Sequence, residues 1–449
     1  MTSSRSERAR ATVRPAPSHR VAARRPVRVV GVFCAFLVVT AAAPPVPALA
    51  ALDGPPSPAL AGTIREMQRT LTEIRGHSFH AAVPVATLTQ EQVRRFLLER
   101  LAKDYPDDKI AAEQKAYVHF GFLKAGDDLK SLFVGLLSEQ AAGFYDPDEK
   151  RLFLVAGRSF PGIALVHELA HALQDQTFHV GRIIDRARDN DDKLLAVQSM
   201  IEGEAMTLAS AYAARRPGHE DLPGMEEPAG ETAQPEVAQP RPVPEILQSN
   251  LMFPYTQGVT FANAVVAGGR EAGMKTMDGM FLEPPESSEQ ILHPEKAREP
   301  RDRPSEFAAG MRSALAALWG GAGYREVKTN TLGEFNIAQL FGGRGDQRAS
   351  EAASGWDADV YQIVERPGSG GDTAMLWLTV WDSPGDAEEF RDRAVEWLRS
   401  RHADASGWRA VATARCPRAV FLLEGFPPEL AQRMQETLEA SLPSGVRLR

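Results

Sequence analysis

Two histidines and a glutamate in the middle of the chain have the spacing of a metal-binding motif. His167 and His171 are four residues apart and Glu168 follows the first of them, in the order H-E-x-x-H. Residues four apart lie on one face of an α-helix, about 6 Å from each other, so both imidazoles could bind one small cation. These residues predict a metal centre, with Glu168 directed toward a bound water as a general base.

The residues around the motif favour burial of these polar groups. The predicted helix is apolar on nearly every side, with Ile163, Ala164, Leu165, Val166, Leu169, Ala170, Ala172 and Leu173. Buried polar groups need partners, and a metal ion would supply one. The alternative is an ordinary amphipathic helix that carries three polar residues.

A third ligand is expected, because zinc hydrolases use three protein ligands and leave the fourth position to water. The metzincin pattern would need glycine at 174 and histidine at 177, but the chain has Gln174 and Thr177, so that class is excluded. A second long helix is predicted over Asp191–Tyr212, and it carries I-E-G-E-A at residues 201–205. With this segment the chain resembles the gluzincins, whose third ligand is a glutamate on a helix after the motif.

The gluzincin resemblance implies that Glu202 is the third metal ligand, since it matches the settings E-G-x-A and E-x-x-A. Glu204 points roughly 200° away from Glu202 around the helix, so we expect it to support the metal ligands or to contact substrate. The alternative, in which Glu204 is the ligand and Glu202 has the supporting role, stays open. Gluzincins often have an aspartate four residues after the ligand glutamate, where it orients a histidine, but the corresponding residue here is Met206. Asp175, one turn beyond His171, is the candidate for that role, with capping or a surface position as the alternative.

Further motifs within residues 60–400 are similar to a group of exported bacterial zincin-like metallopeptidases. They are G-F-Y-D-P at 143–147, H-E-L-A-H-A-L-Q-D-Q at 167–176, I-E-G-E-A, P-Y-x-x-G at 254–258 and S-E-Q-I-L-H-P-E at 288–295. Gluzincins use a histidine or tyrosine side chain to donate to the oxyanion of a tetrahedral intermediate. His293 is the first candidate for this role and Tyr255 the second, and a loop held by ordinary hydrogen bonds is the alternative.

A β-hairpin is predicted directly before the motif helix. Residues 143–150 contain a strand and a turn, and residues 151–155 form the second strand. In thermolysin-like enzymes an edge strand beside the active-site helix binds extended substrate by strand addition, so 152–155 is a candidate for that role. A purely structural hairpin is the alternative.

Residues 1–50 have the order of a secretory signal peptide. Eight arginines and one acid are followed by the apolar run 29–43, and Ala48-Leu49-Ala50 resembles an A-x-A cleavage site. Fifteen apolar residues are short for a membrane span, which needs about 20, so we expect cleavage near Ala50 and no stable membrane insertion afterwards. An uncleaved N-terminal membrane anchor is the alternative.

The charge balance restricts the partners of the exported chain. Without residues 1–50 it has 43 basic and 58 acidic residues, a net charge of −15. This excess of acid argues against nucleic acid or anionic membranes as partners. Cys416 is the one cysteine left, so no disulfide framework is expected, and the oligomeric state is not predicted.

An α+β fold is predicted, with a mainly helical zincin-like domain and a small C-terminal module. We assign 51–137 to an N-terminal helical region, 138–310 to the zincin-like core and 311–449 to the module, with a proline-rich disordered insert at 217–244. The module is predicted as β-β-α-β-β-α, with elements at 357–364, 375–381, 386–401, 408–413, 419–424 and 428–442. Trp377 and Trp381 of the module are expected to be core residues.

Together these features predict a metallopeptidase that uses one Zn²⁺ to hydrolyse a peptide or protein substrate outside the cytoplasm. Two alternatives remain open at this stage. One is an exported binding or scaffold protein in which zinc is structural, and the other is a zinc hydrolase of a non-peptide bond, such as a cell-wall amide.

Overall fold

A computed structural model of the chain describes most residues after the predicted signal peptide. The described ranges are 58–104, 106–140, 143–157, 162–215, 243–298, 301–343, 345–368, 372–402, 407–412 and 416–441. The predicted signal peptide lies outside them, and so does nearly all of the predicted insert at 217–244. Within the described residues, no helix combines the length and apolar character needed to cross a bilayer.

The described residues form an α+β structure, which confirms the predicted fold class. The helices are α1 Pro58–Arg75, α2 Gln90–Asp104, α3 Asp107–Phe120, α4 Leu129–Gln140, α5 Gly162–Phe178, α6 Val180–Ala187, α7 Asp191–Arg215, α8 Glu245–Val266, α9 Arg270–Leu282, α10 Ser288–Leu292, α11 Pro304–Gly320, α12 Gly333–Leu340, α13 Gln347–Ala353, α14 Pro384–Arg401 and α15 Pro428–Ser441. The strands are β1 Val85–Leu88, β2 Gly143–Asp146, β3 Arg151–Val155, β4 Arg325–Asn330, β5 Trp356–Glu365, β6 Thr373–Trp381, β7 Trp408–Ala412 and β8 Ala419–Glu424.

The predicted hairpin is present as β2 and β3, but its second strand is not an edge strand. β3 lies between β2, which pairs with it antiparallel from Gly143↔Leu154, and β1, which pairs with it parallel from Val85↔Leu152. Both backbone edges of β3 are therefore occupied. The prediction that residues 152–155 bind substrate by strand addition is wrong, because a strand from far earlier in the chain covers that edge.

Helix α5, which carries the H-E-x-x-H motif, lies in the centre of the first apolar core. Leu165, Leu169 and Leu173 of α5 share one buried cluster with Leu71 of α1 and Leu208 of α7. Burying one leucine stabilises a fold by about 1.5–3 kcal/mol, so this cluster holds the motif helix firmly between its neighbours. The all-round apolar character of α5 in the sequence is explained by this central position.

Helices α7 and α8 cross backbone to backbone at two glycines. A Cβ atom added to Gly203 would lie 2.0 Å from the carbonyl oxygen of Gly258, and one added to Gly258 would lie 2.2 Å from the carbonyl oxygen of Ser199. No side chain fits at these distances, so both positions require glycine. The crossing fixes Glu202, next to Gly203, against the segment of α8 that contains Tyr255.

The C-terminal module is a five-stranded antiparallel sheet in the order β4-β5-β6-β8-β7, covered on both faces by helices. Tyr361 and Trp377 face α12, α13 and α14, while Leu376 and Leu378 face α11 and α15. Trp377 and Trp381 are fully buried, so their prediction as core residues is confirmed. The six predicted elements are all present, whereas strand β4 was not predicted because its residues, R-E-V-K-T-N, are mostly polar.

The predicted boundaries of the module and of the N-terminal region differ from the observed packing. Helix α11 runs through the predicted boundary at residue 311 and packs against the sheet with Leu315 and Trp319. Helix α3 was predicted as part of the N-terminal region, yet Ala116 and Phe120 pack into the core of the C-terminal module. These contacts join segments that are distant in sequence, so no local pattern could indicate them.

Replacing Gly203 by alanine should destabilise the protein, since the added methyl group meets the backbone of α8. We expect Gly203→Ala to lower the free energy of unfolding by about 1–3 kcal/mol or more. Gly310 in α11 is exposed with open space at its Cβ position, so Gly310→Ala should raise stability by about 0.5–1 kcal/mol. Urea unfolding of both variants checks this, and equal midpoints would refute the close crossing.

Candidate metal centre

The three predicted metal ligands meet at one point between α5 and α7. Nε2 of His167 and Nε2 of His171 lie 3.0 Å apart. Oε2 of Glu202 lies 3.1 Å from Nε2 of His167 and 3.4 Å from Nε2 of His171. In the described part of the chain, these residues are the group of histidines, cysteines and acids whose ligand atoms converge closely enough to hold a metal ion.

The spacing of these atoms fits a tetrahedral zinc ion. Zinc binds nitrogen and oxygen ligands at about 2.0–2.2 Å, which places neighbouring ligand atoms of a tetrahedron about 3.3 Å apart. The three observed separations of 3.0, 3.1 and 3.4 Å are close to that value. The residues therefore fit the metal that the sequence predicts.

Unsatisfied polar atoms at the cluster also favour a cation. Among the described residues, Oε1 of Glu202 and Nδ1 of His167 have no hydrogen-bond partner, and Oε2 of Glu202 contacts the Nε2 atoms of the two histidines. Glu202 is 1% exposed, so its carboxylate is almost completely shielded from water. A buried charge without full compensation is costly, and a metal ion would compensate it.

The electrostatics of the cluster show how strongly it attracts positive charge. Burial alone would lower the pKa of His171, but the carboxylate of Glu202 overcomes burial and raises the pKa to about 9. Burial would raise the pKa of Glu202, but the two histidines overcome it and lower the pKa to about 2. Without metal, a proton thus takes the place of the cation, and a metal ion must displace that proton to bind.

Gln174 fixes the orientation of His171. Nδ1 of His171 donates to Oε1 of Gln174 at 2.9 Å, which directs Nε2 toward the cluster. Nε2 of Gln174 donates to the carbonyl oxygen of Ile201 and to Oε2 of Glu204, each at 2.9 Å. Because both the oxygen and the nitrogen of the Gln174 amide are bonded, the imidazole of His171 has one favoured orientation.

Glu204 is in turn held by Arg75 from the first described helix. Nε of Arg75 lies 2.5 Å from Oε1 of Glu204, and Nη2 of Arg75 donates to Oδ1 of Asp278 at 2.5 Å. The Arg75 guanidinium also lies over the ring of Phe178, 5.4 Å from its centre. Glu204 therefore turns toward Arg75 and reaches His171 only through Gln174, an arrangement that corresponds to the first of the two roles that the sequence leaves open for it.

Glu168 lies beside the cluster and is held by the hairpin. Oε2 of Glu168 accepts a hydrogen bond of 2.8 Å from the backbone N–H of Tyr145 in β2. Burial is the largest influence on Glu168 and raises its pKa, while the two motif histidines oppose this shift. A carboxylate with a raised pKa is better suited to accept a proton near neutral pH.

Asp175 connects the hairpin to α5 and does not orient a histidine. Oδ2 of Asp175 accepts a hydrogen bond of 3.0 Å from the hydroxyl of Tyr145, and it also pairs with Nζ of Lys150. Asp175 is buried, so the alternative of a surface position is wrong. His171 is oriented instead by Gln174, the residue directly before Asp175.

The two candidates for oxyanion stabilisation lie in different places. The ring of Tyr255 is 6.4 Å from the ring of His167, centre to centre, and Tyr255 is buried. His293 follows α10, and its Nε2 lies 3.1 Å from Oε1 of Glu334 in the C-terminal module. The structure thus brings Tyr255 to the cluster and pairs His293 with the module.

Sequence patterns did not indicate three residues that build the centre. Gln174 and Tyr145 lie within the motifs H-E-L-A-H-A-L-Q-D-Q and G-F-Y-D-P, but the sequence gives neither of them a role at the centre, and it does not indicate Arg75. Arg75 lies about a hundred residues before the ligands, and Tyr145 acts through its backbone, which any residue type possesses. The sequence offers one signal for Arg75, which is Glu204: an acid buried in the predicted helix requires a partner of opposite charge.

Comparison with protein families gives a match in the C-terminal module. Residues 316–429 match a family described as a domain of unknown function, DUF8575. The match covers β4 to β8 and ends before most of α15, so it does not include His167, His171 or Glu202. No curated protein and no solved structure matches the chain.

Proposed function

We propose that the protein is an exported zinc-dependent peptidase. The observation that carries the proposal is the buried set of His167, His171 and Glu202, with Glu168 beside it and not among the ligands. Bound zinc would supply a Lewis acid for the scissile carbonyl and lower the pKa of a water molecule toward about 7. Export rests on the signal-like order of residues 1–50.

The protein's own residues have separate tasks in this proposal. Glu168 accepts the proton of the attacking water and passes it to the leaving amine, and the N–H of Tyr145 keeps its carboxylate in place. Gln174 and Glu204 hold His171 in its ligating orientation. Tyr255, whose ring centre lies 6.4 Å from that of His167, would donate from its hydroxyl to the developing oxyanion.

The number of ligands supports catalysis over a structural zinc. Structural zinc sites have four protein ligands, whereas catalytic sites have three and an open position. In the described residues, Glu204 is turned toward Arg75 and His293 is paired with Glu334, so neither fills a fourth position. One observation favours the alternative of a scaffold protein with structural zinc. His167 and His171 are only 7% and 6% exposed, so both side chains are almost closed to solvent.

The purified chain should contain about one zinc ion, and His171→Ala should lose it, because removal of one of three ligands breaks the site. His293→Ala is the matched control, since His293 pairs with Glu334, and it should retain zinc. Metal content is measured by mass spectrometry after dialysis. If wild type and His171→Ala contained the same amount of zinc, the proposed centre would be wrong.

Glu168→Gln should retain zinc and lose hydrolysis of an unfolded protein by about 10²–10⁴-fold, since an amide cannot accept the proton. Glu149→Gln, at an exposed position in the hairpin turn, is the control and should keep full activity. Cleavage of a fluorescently labelled unfolded protein gives the rates. Unchanged activity in Glu168→Gln would exclude Glu168 as the base.

Gln174→Ala should weaken zinc binding by about 10–100-fold, because His171 loses the partner that fixes its orientation. Gln176→Ala is the control on the same helix, since Gln176 bonds the backbone of His80 and Ala81 and no histidine side chain. Competition with a chromogenic chelator gives both affinities. Equal affinities would show that the amide plays no part in holding the ligand.

A further inference from the structure

Four carboxylates lie where helix α7 joins the C-terminal module, and we call them the acidic junction. Asp192 at the start of α7 and Glu289 of α10 belong to the segments that precede the module, while Glu334 of α12 and Asp359 of β5 belong to the module itself. None of the four is more than 6% exposed. The junction therefore places four acidic side chains in surroundings from which water is nearly excluded.

The start of α12 brings two of these acids close together. Asp359 accepts hydrogen bonds from the backbone N–H of Leu332 at 3.0 Å and of Gly333 at 2.9 Å. A Cβ atom added to Gly333 would lie 2.0 Å from Oδ1 of Asp192, which itself accepts from the N–H of Ser288. Both carboxylates thus lie against the same short segment of the module, where their negative charges repel each other.

The positive charge at the junction is smaller than the negative charge. Nζ of Lys296 donates to Oε1 of Glu289 at 2.5 Å and to Oδ2 of Asp382 at 2.7 Å, and Nε2 of His293 lies 3.1 Å from Oε1 of Glu334. In the described part of the chain, the junction acids of α7 and β5 form no ion pair, and their hydrogen-bond donors are uncharged N–H groups. Full ionisation would therefore oppose four negative charges with the two positive charges of the lysine and a protonated histidine.

Burial and mutual repulsion make these acids retain their protons. Burial is the largest influence on Asp192 and Glu289 and raises the pKa of each well above its usual range; repulsion by Glu334 adds to both shifts, and Lys296 opposes the second. Burial also raises the pKa of Asp359 to about 6. Among the described residues, Oε2 of Glu289 and Oε2 of Glu334 have no hydrogen-bond partner, so hydrogen bonds leave part of the charge uncompensated.

We propose that the acidic junction is a proton-dependent contact between α7 and the C-terminal module. Bound protons reduce its negative charge and allow the two sides to pack tightly, whereas loss of these protons makes the acids of α7 and α10 repel those of α12 and β5. The module is therefore held most firmly at mildly acidic pH, and the contact weakens as the pH rises. The inference does not depend on zinc or on peptidase activity.

The direction of this pH dependence follows from the raised pKa values. An aspartate or glutamate in the unfolded chain has a pKa of about 4, whereas the pKa of Asp359 in the fold is about 6 and those of Asp192 and Glu289 are raised well above their usual range. The stabilisation by bound protons is therefore complete below about pH 4 and is lost as the pH rises through the folded values. Between about pH 5.5 and 8.5, the folded chain should become less stable.

The test is thermal unfolding of the full chain between about pH 5.5 and 8.5, for wild type and for Asp192→Asn. Asparagine keeps the shape of aspartate without the charge, so near pH 8.5 the variant should melt at least about 2 °C above wild type, and the difference should shrink toward pH 5.5. Asp189→Asn, at an exposed position three residues earlier, is the control and should melt as wild type does. All three proteins keep the candidate metal ligands, so the pH dependence of those residues cancels in the comparison.

Hydrogen–deuterium exchange locates the change within the molecule. After correction for the pH dependence of the chemical exchange rate, residues 332–340 should exchange faster near pH 8.5 than near pH 5.5, because this segment carries Glu334 and lies against Asp192. Residues 419–424, which form strand β8 inside the sheet, are the internal control and should keep their protection. In Asp192→Asn the increase over residues 332–340 should be smaller.

Glu289→Gln removes another charge from the junction and decides the outcome if Asp192→Asn does not fold. A smaller fall in melting temperature between pH 5.5 and 8.5 in either variant, together with faster exchange over residues 332–340 of wild type, supports the proposal whether or not the protein binds zinc. A fall as steep as that of wild type in both variants overturns it. Equal exchange over residues 332–340 at the two pH values also overturns it.

Discussion

Two imidazoles and a carboxylate share a space from which water is nearly excluded, and much of the surrounding structure compensates for their burial. Glu202 is 1% exposed, and its contacts with His167 and His171 supply the opposite charge that a buried carboxylate requires. These contacts are possible only if α5 and α7 keep a fixed separation. The apolar cluster around Leu169 and Leu208 maintains that separation.

Helix α7 connects the candidate centre to α1, α8 and the C-terminal module. Glu202 contacts the two motif histidines, Glu204 is held by Arg75, and Gly203 between them allows α8 to approach within backbone contact. At its first turn, Asp192 accepts hydrogen bonds from the N–H of Ser288, and Asp191 pairs with Lys328 of the C-terminal sheet. A shift of α7 would therefore disturb the ligands, the helix crossing and the module at once.

The hairpin and the first described helix hold different residues of the candidate centre. Tyr145 of β2 bonds Glu168 through its N–H and Asp175 through its hydroxyl, so the hairpin and α5 are joined at two points. Arg75 of α1 links Glu204 to Asp278. These hydrogen bonds and ion pairs restrict the positions of the buried polar groups around His167, His171 and Glu202.

Features that depend on local spacing could be predicted from the sequence. They are the motif helix, the second helix with Glu202, the hairpin and most of the module, because hydrophobic periodicity and short motifs reflect neighbouring residues. Only the fold shows that β3 is the central strand of its sheet, that α3 packs against the C-terminal sheet, and that Gln174 holds His171 while Arg75 holds Glu204. Those outcomes depend on contacts between segments far apart in the chain, and one sequence carries no record of which distant segments meet.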